Sequence, residues 1–393
     1  MRRLYVGAVG DADDPLTWSG IPYHLTEAGK SAGLVTGGLP LGAAGWHWRA
    51  RRVAWNLGRV TTLDRRGGYQ YSIGFLERLW RPVRPQLRGA RVVNCFQLYP
   101  PSIASDDAIE KWFFIDLTLT QLFDYYHIRP LVGRRIAAEA IAREREGYHR
   151  AAGVIVMSRF AAQSVRRDYG VPERLIHVVV PGANLDPNVY RRWEATARGS
   201  RATTRETLRL VMVSTDWRRK GLDRLLRALR LARRDGLHAT LTVVGNTRED
   251  LPPELADLEG VEWLGRISKD REAERFLHAV ADCDVGCILA RYEAGGSVLR
   301  EYHALGLAAL ATDAGGMPDF MFAEAAVTVT PEASDEEIAA QLVALGRDRG
   351  RVDSLREAAW RRRRDATWAE TVRRLGAIME GGTGDAVSDR SSP

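Results

Sequence analysis

Short apolar runs recur along the chain, each bounded by turn residues and most followed by a stretch with helical spacing. In the first half the runs cover 4–9, 33–36, 91–98, 112–117, 153–157 and 176–180. In the second half they cover 208–214, 239–244, 261–264, 284–289, 308–312 and 326–329. Apolar runs of this length between turns predict strands buried on both faces. Helical patterns lie between most of them, notably over 222–233, 270–279, 297–306 and 335–345. Strands alternating with helices predict an α/β fold with parallel sheets, one in each half. Residues 184–206, with Asp-Pro-Asn and Ala-Arg-Gly-Ser-Arg, lose apolar periodicity and predict a linker. A long arginine-rich helix is predicted from about 352 to 379, followed by a disordered tail over 381–393.

A chain of 393 residues suits two domains rather than one core. Apolar content of 45 % and charged content of 27 % are those of a soluble globular protein. No run of 18 apolar residues is present to span a membrane. Met-Arg-Arg leads straight into the first strand, without a signal-peptide pattern. Cys95, Cys283 and Cys287 cannot all pair and have no metal-ligand company, and the last two sit around a predicted core strand as small apolar residues. A cytoplasmic protein is expected. The net charge is +7, yet Lys30, Lys111, Lys220 and Lys269 are the only lysines. That skew reflects a GC-rich genome, so clusters such as Arg49/Arg51/Arg52 carry less meaning than elsewhere. The mild basicity does not choose among anionic lipid, nucleic acid and phosphorylated substrates.

Candidate chemistry concentrates in the second half. The strand over 284–289 runs into Glu293-Ala-Gly-Gly-Ser-Val-Leu-Arg-Glu301, where a helix is predicted to begin at Ser297. A strand, a glycine-rich loop (Gly295, Gly296) and a helix start (Ser297, Val298, Leu299) make an anion site, because backbone N–H groups and the helix dipole converge there. Glu301 would repel a phosphate and is better suited to accept hydrogen bonds from ribose hydroxyls. Glu293, across the loop, would lie near whatever the diphosphate carries. Asp216-Trp-Arg-Arg-Lys-Gly221 follows the first strand of this half and suits the diphosphate itself, through Arg219 and Lys220. A compact ammonium at Lys220, in a chain that otherwise uses arginine, points the same way. The plain alternatives are solvated glutamates at a helix start and a charged turn before a surface helix.

The segment continues through a helix, an apolar strand and a second Gly-Gly turn, Gly315-Gly-Met-Pro318. Two glutamates separated by seven residues, followed by these elements, resemble the donor-site signature of retaining glycosyltransferases of the GT-B fold, family 4. Arg219-Lys-Gly221 resembles that family's donor-phosphate motif. The resemblance extends to Thr17-Trp-Ser-Gly-Ile-Pro-Tyr23, to the Asp116 segment, to the stretch from Met157 to Asn184 and to Ala366-Thr-Trp368. Gly265-Arg266 resembles the loop that meets the nucleotide base.

The resemblance implies two Rossmann-like domains facing a central cleft: an acceptor-binding domain over 1–183, the linker 184–206, a nucleotide-sugar domain over 207–365, and a helix over 366–380 returning to the first domain. It implies transfer of a sugar from a nucleotide diphosphate sugar to a hydroxyl of a glycan, glycolipid or small molecule, with no metal or other cofactor. Glu293 and Asp116 would be catalytic. Gly20, Arg219, Lys220, Gly295, Gly296, Ser297, Val298, Leu299 and Glu301 would bind the donor, with Trp18 and Tyr23 on the acceptor side. Many relatives place a histidine near Asp116, which this chain lacks; His127 reads as structural. Asp11-Ala-Asp13 reads as loop composition rather than a metal pair. Alternative functions are a sugar-phosphate synthase or phosphorylase on the same fold, or a non-catalytic binding module. No nucleic-acid partner is expected. The stretch 46–55, mixing Trp with Arg, reads either as core packing or as an interfacial helix that brings the protein to the inner face of the membrane.

Overall fold

The structure, a computed structural model, describes residues 2–60, 67–197 and 206–381. It divides into two compact units, Met1–Val180 with Thr371–Pro393, and Pro181–Glu370. The first unit is built on one sheet of β1 (Leu4–Gly7), β2 (Gly37–Gly38), β3 (Arg91–Asn94), β4 (Glu110–Ile115), β5 (Gly153–Val156) and β6 (Ile176–Val178). Its order is β2-β1-β3-β4-β5-β6, with every neighbouring pair parallel. The second unit repeats the plan with β7 (Leu208–Val213), β8 (Ala239–Val244), β9 (Val261–Gly265), β10 (Val285–Ile288), β11 (Ala308–Thr312) and β12 (Ala326–Val329). These lie in the order β9-β8-β7-β10-β11-β12, again all parallel. Both are doubly wound α/β sheets of the Rossmann type.

The apolar runs become strands because helices cover both faces. Every residue of β5, β10 and β11 is buried. Trp80, Phe113, Phe123 and Tyr148 fill the core of the first unit, and Leu222, Leu225, Leu226 and Leu229 from one helix fill that of the second. Each such side chain contributes roughly 1.5–3 kcal/mol of burial.

Three expected elements differ. Residues 33–36 are no strand; they close the preceding helix. Gly33 is left-handed at φ +69° and Leu34 N–H donates to the Gly29 carbonyl at 2.9 Å, so pairing with β1 begins only at Gly37. The expected linker contains a helix, Pro187–Thr196, capped by Asp186, whose carboxylate accepts from the Asn188 and Val189 amides. Tyr190 anchors it by donating to the Ala304 carbonyl at 3.1 Å. Residues 198–205 of that stretch, and 382–393 of the expected tail, lie outside the described residues. Finally, the single helix over 352–379 is broken into Arg349–Arg362, a 3-10 turn Arg363–Ala366, and Trp368–Met379. Thr367 is extended there, and Trp368 Nε1 donates to Asn184 Oδ1 at 2.9 Å.

Candidate functional site

The strand order of the second unit reverses between β7 and β10, and open α/β sheets bind ligands beyond the carboxyl ends of such a pair. The two strands pair over only two positions, Leu210 with Val285 and Val211 with Gly286, and then part. Tyr302 fills the gap: its hydroxyl accepts from Val213 N–H at 3.0 Å and donates to the Cys287 carbonyl at 3.4 Å. Gly286 leaves room for the ring, since a Cβ there would lie 2.2 Å from it.

The loops that follow β7 and β10 are fastened together. After β7, the Asp216 carboxylate caps the short helix Trp217–Lys220, accepting from Arg219 N at 3.2 Å and Arg219 Nε at 3.1 Å. Gly221 then turns left-handed at φ +79°, where a Cβ would meet the Leu289 carbonyl oxygen at 2.1 Å. Leu289 N–H donates to the Lys220 carbonyl at 3.1 Å and Arg291 N–H to the Arg219 carbonyl at 2.9 Å. Arg291 grips Asp223 at 2.7 and 3.0 Å. This clamp delivers Glu293 onto the basic pair. Its Oε2 accepts from Arg219 Nη1 at 2.6 Å and lies 3.0 Å from Lys220 Nζ. Glu293 is only 8 % exposed. Burial pushes its carboxyl up, but the Lys220 and Arg219 charges outweigh burial and hold it below the ordinary range. The Gly316 amide, in the turn after β11, donates to the Glu293 carbonyl at 3.2 Å.

Beyond Glu293, Gly295 packs under Phe320, where a Cβ would lie 2.3 Å from the ring. The helix Ser297–Ala304 starts at Gly296 without a side-chain cap, with Val298 and Leu299 buried behind it. One turn in, Glu301 is 1 % exposed. Its Oε1 accepts from Lys269 Nζ at 2.5 Å, while its Oε2, also buried, has no hydrogen-bond partner. Lys269 stands over the Phe276 ring at 4.4 Å. Lys269 is the residue that reading the sequence missed, although its signal was present: two of only four lysines meet the two glutamates of the motif. The others do not. Lys30 pairs with Asp13 and Glu27, and Lys111 donates to the Asp106 carbonyl.

The remaining candidates belong to the first unit. Trp18 and Ser19 follow β1 with φ of +44° and +57°, and Gly20 continues left-handed at +80° before the helix Ile21–Ser31. Consecutive non-glycine residues in this region store backbone strain, a feature that clusters at ligand sites. Tyr23 lies one turn on, its ring edge-on to His24 at 5.2 Å. Asp116 is half-buried after β4. Just beyond it, the buried Glu144 carboxyl accepts from Leu119 N–H at 3.0 Å and from the Tyr148 and Tyr169 hydroxyls. Burial pushes that carboxyl up to about 8 against the pull of these donors. This network braces the Asp116 loop and was not foreseen.

Residues 195–362 match the family described as glycosyl transferases group 1. The chain is a glycosyltransferase, and its likeness to group 1 lies within the second unit. Solved structures agree on its fold, which is GT-B. HepE of Anabaena, solved with UDP and glucose, aligns with a TM-score of 0.63 at 17 % identity, covering 96 % of this chain and 100 % of that one. Sucrose-phosphate synthase of Thermosynechococcus elongatus aligns with a TM-score of 0.66 at 15 % identity over 97 % and 99 %. WaaG, a glycosyltransferase of lipopolysaccharide biosynthesis, aligns with a TM-score of 0.55 at 18 % identity over 79 % and 84 %. A search of the curated proteins returned no match.

The matched region of this glycosyltransferase also holds a buried ionic knot, at the opposite end of β10 from Glu293. Asp284 is fully buried and meets Arg209, Arg349 and Arg356 at 3.2, 3.1 and 3.3 Å. Among the described residues no helix is long and apolar enough to cross a membrane.

Proposed function

We propose that the enzyme is a retaining family 4 transferase that moves a sugar from a nucleotide diphosphate sugar to an acceptor hydroxyl. The observation that carries this is the pairing of two complementary groups on neighbouring elements: a half-buried arginine–lysine pair held by a carboxylate, and a buried glutamate with one oxygen unpartnered. Arg219 and Lys220 match a diphosphate. The second oxygen of Glu301 suits a ribose hydroxyl, which would satisfy an acceptor whose isolation is costly. As the leaving diphosphate takes on charge, both cations and the amides from Gly295 to Leu299 would stabilise it. The departing phosphate would then accept the acceptor's proton, and Glu293 would hold the transferred sugar. The two cations supply the charge that a divalent ion supplies elsewhere, so we expect turnover to survive excess EDTA.

In this reading the Pro181–Glu370 unit takes the donor. The other unit takes a carbohydrate, lipid-linked or small-molecule acceptor near Trp18, Tyr23 and Asp116, with Gly20 approaching the donor. The protein would work in the cytoplasm or against the inner face of the membrane. Because HepE was solved in complex with UDP and glucose, UDP-glucose is the first donor to test, beside GDP- and ADP-sugars. Thermal shift identifies the base, and NMR of the product anomer decides retention. Inversion, or no shift with any nucleotide sugar, would refute the proposal. A second reading, sugar-phosphate synthesis, is favoured by the whole-length likeness to sucrose-phosphate synthase and to a trehalose-phosphate synthase of Burkholderia xenovorans solved with glucose-6-phosphate. Transfer onto a sugar phosphate rather than a neutral hydroxyl would select it.

A further inference from the structure

The helix Trp46–Val60 carries two apolar faces. Trp48 and Trp55, two turns apart, point into the first unit. The Trp48 ring meets Phe75 edge-on at 5.4 Å, and the Trp55 ring lies 5.8 Å from Tyr69 while its Nε1 donates to the Gly67 carbonyl at 3.0 Å. The opposite side should be polar, because a surface helix normally turns its charges away from the core. It is not. Trp46, Ala50, Val53 and Leu57 stand at i, i+4, i+7 and i+11, one stripe diametrically opposite Trp48 and Trp55. Trp46 is 80 % exposed, Val53 57 % and Leu57 64 %.

The charges lie along the edges of the stripe instead. Arg49 borders one side and His47 the other, with Arg52 and Arg51 one step further round beside the core-facing tryptophans, all exposed. No acidic residue occurs anywhere from Ala28 to Leu63. A helix lying in a bilayer interface has this section: an apolar face led by tryptophan, with long cations at the waterline reaching up to lipid phosphates. The stripe is roughly 17 Å long and one helix wide. Stable protein interfaces bury about 800 Å² on each partner, more than such a strip offers.

We propose that this face docks the enzyme on an anionic lipid surface, with Trp46, Val53 and Leu57 inserted among the acyl chains and Arg49, Arg51 and Arg52 on the headgroups. The proposal gives a physical surface to the membrane contact suggested above and rests on none of the donor chemistry. It therefore fails or stands independently of the transferase reading.

Co-sedimentation of the full chain with extruded vesicles tests it. Vesicles of equal phosphatidylcholine and phosphatidylglycerol should bind the protein, vesicles of phosphatidylcholine alone should bind it weakly, and salt should weaken binding to the first. Replacing Trp46 and Leu57 together by serine should lower partitioning by about tenfold or more. Arg49→Gln and Arg52→Gln should each lower it about fivefold on anionic vesicles only. All these side chains are exposed, so melting temperature and nucleotide-induced thermal shift should match the wild type. The proposal is overturned if anionic vesicles do not bind the wild type, or if the serine variant binds them equally well. It is also overturned if the stripe instead drives a vesicle-free dimer that the serine variant abolishes.

Discussion

Glu293→Gln should tighten binding of the free nucleoside diphosphate while slowing transfer. Without ligand, the Glu293 carboxylate satisfies both Arg219 and Lys220, at 2.6 and 3.0 Å. It stands where a phosphate oxygen would have to stand. A diphosphate must displace or share it, and a bound phosphate some 4 Å away would feel a repulsion of about 4 kcal/mol at an effective dielectric of 20. Part of that returns through hydrogen bonds the phosphate makes to the same cations. A neutral amide accepts one of these bonds but carries no charge, so the cations become available. The net gain should be roughly 1.5–3 kcal/mol, the worth of one charge-assisted hydrogen bond, or about ten- to a hundredfold in Kd. The pair is mostly buried, so salt should change this little. Transfer should move the other way, because a carboxylate that holds the sugar in the transition state is lost and kcat falls with it. Calorimetry with the nucleoside diphosphate that the enzyme prefers measures the first effect, and single-turnover transfer the second. A Gln variant that binds diphosphate as weakly as the wild type, or more weakly, would refute the displacement argument.

Lys269→Met should weaken nucleoside diphosphate binding about tenfold by leaving Glu301 buried without its cation. The wild type should also prefer the ribonucleotide over its 2′,3′-dideoxy analogue, and this variant should not, which calorimetry with both ligands checks. Glu144, with its folded pKa raised to about 8 from 4.5, binds more protons folded than unfolded between those values. Its contribution is therefore complete below about pH 4.5 and is lost as pH rises through 8, by roughly 4–5 kcal/mol at about 1.4 kcal/mol per pKa unit. Urea melts from pH 5 to 9 should show this decline in the wild type and not in Glu144→Gln. Asp284→Asn should destabilise the second unit by about 3–5 kcal/mol, because it strands three arginines around a neutral amide. Thermal melts read that loss, and an unchanged transition would show that the knot contributes nothing.

The fold was legible where one segment carries its own reason. The apolar runs of β5, β10 and β11 are buried on both faces, and no distant residue is needed to make them strands. Residues 33–36 differed for a local reason, the left-handed Gly33, whereas the other two elements that differed have partners far along the chain. The helix Pro187–Thr196 shows a cap and an N-terminal proline in sequence, but it is anchored through Tyr190 to Ala304 and through Trp193 to Trp360. The break in the closing helix has a local signal, Thr367-Trp-Ala-Glu370, in which the Thr367 hydroxyl accepts from the Glu370 amide at 3.4 Å, and a distant one. The break is tied to Asn184 and Ala183, almost two hundred residues earlier.

The same distinction separates the site residues that were read from those that were not. Arg219, Lys220, Glu293 and Glu301 sit on loops whose glycines and helix starts announce an anion site by themselves. Lys269 lies in an irregular segment after β9, and only its contact with Glu301 gives it meaning. What could have found it is a compositional argument carried through: if arginine is the default cation, every lysine in the chain asks for a reason, and not Lys220 alone. The helix Trp46–Val60 sets a harder limit. Periodicity tells which residues share a face, and apolarity tells that a face wants to leave water, but a helix apolar on opposite sides has two such faces and one core to meet. Trp48 and Trp55 meet it through Phe75 and Tyr69. Trp46, Val53 and Leu57 are left with the same demand and nothing among the described residues to satisfy it, which is why their partner is sought outside the chain.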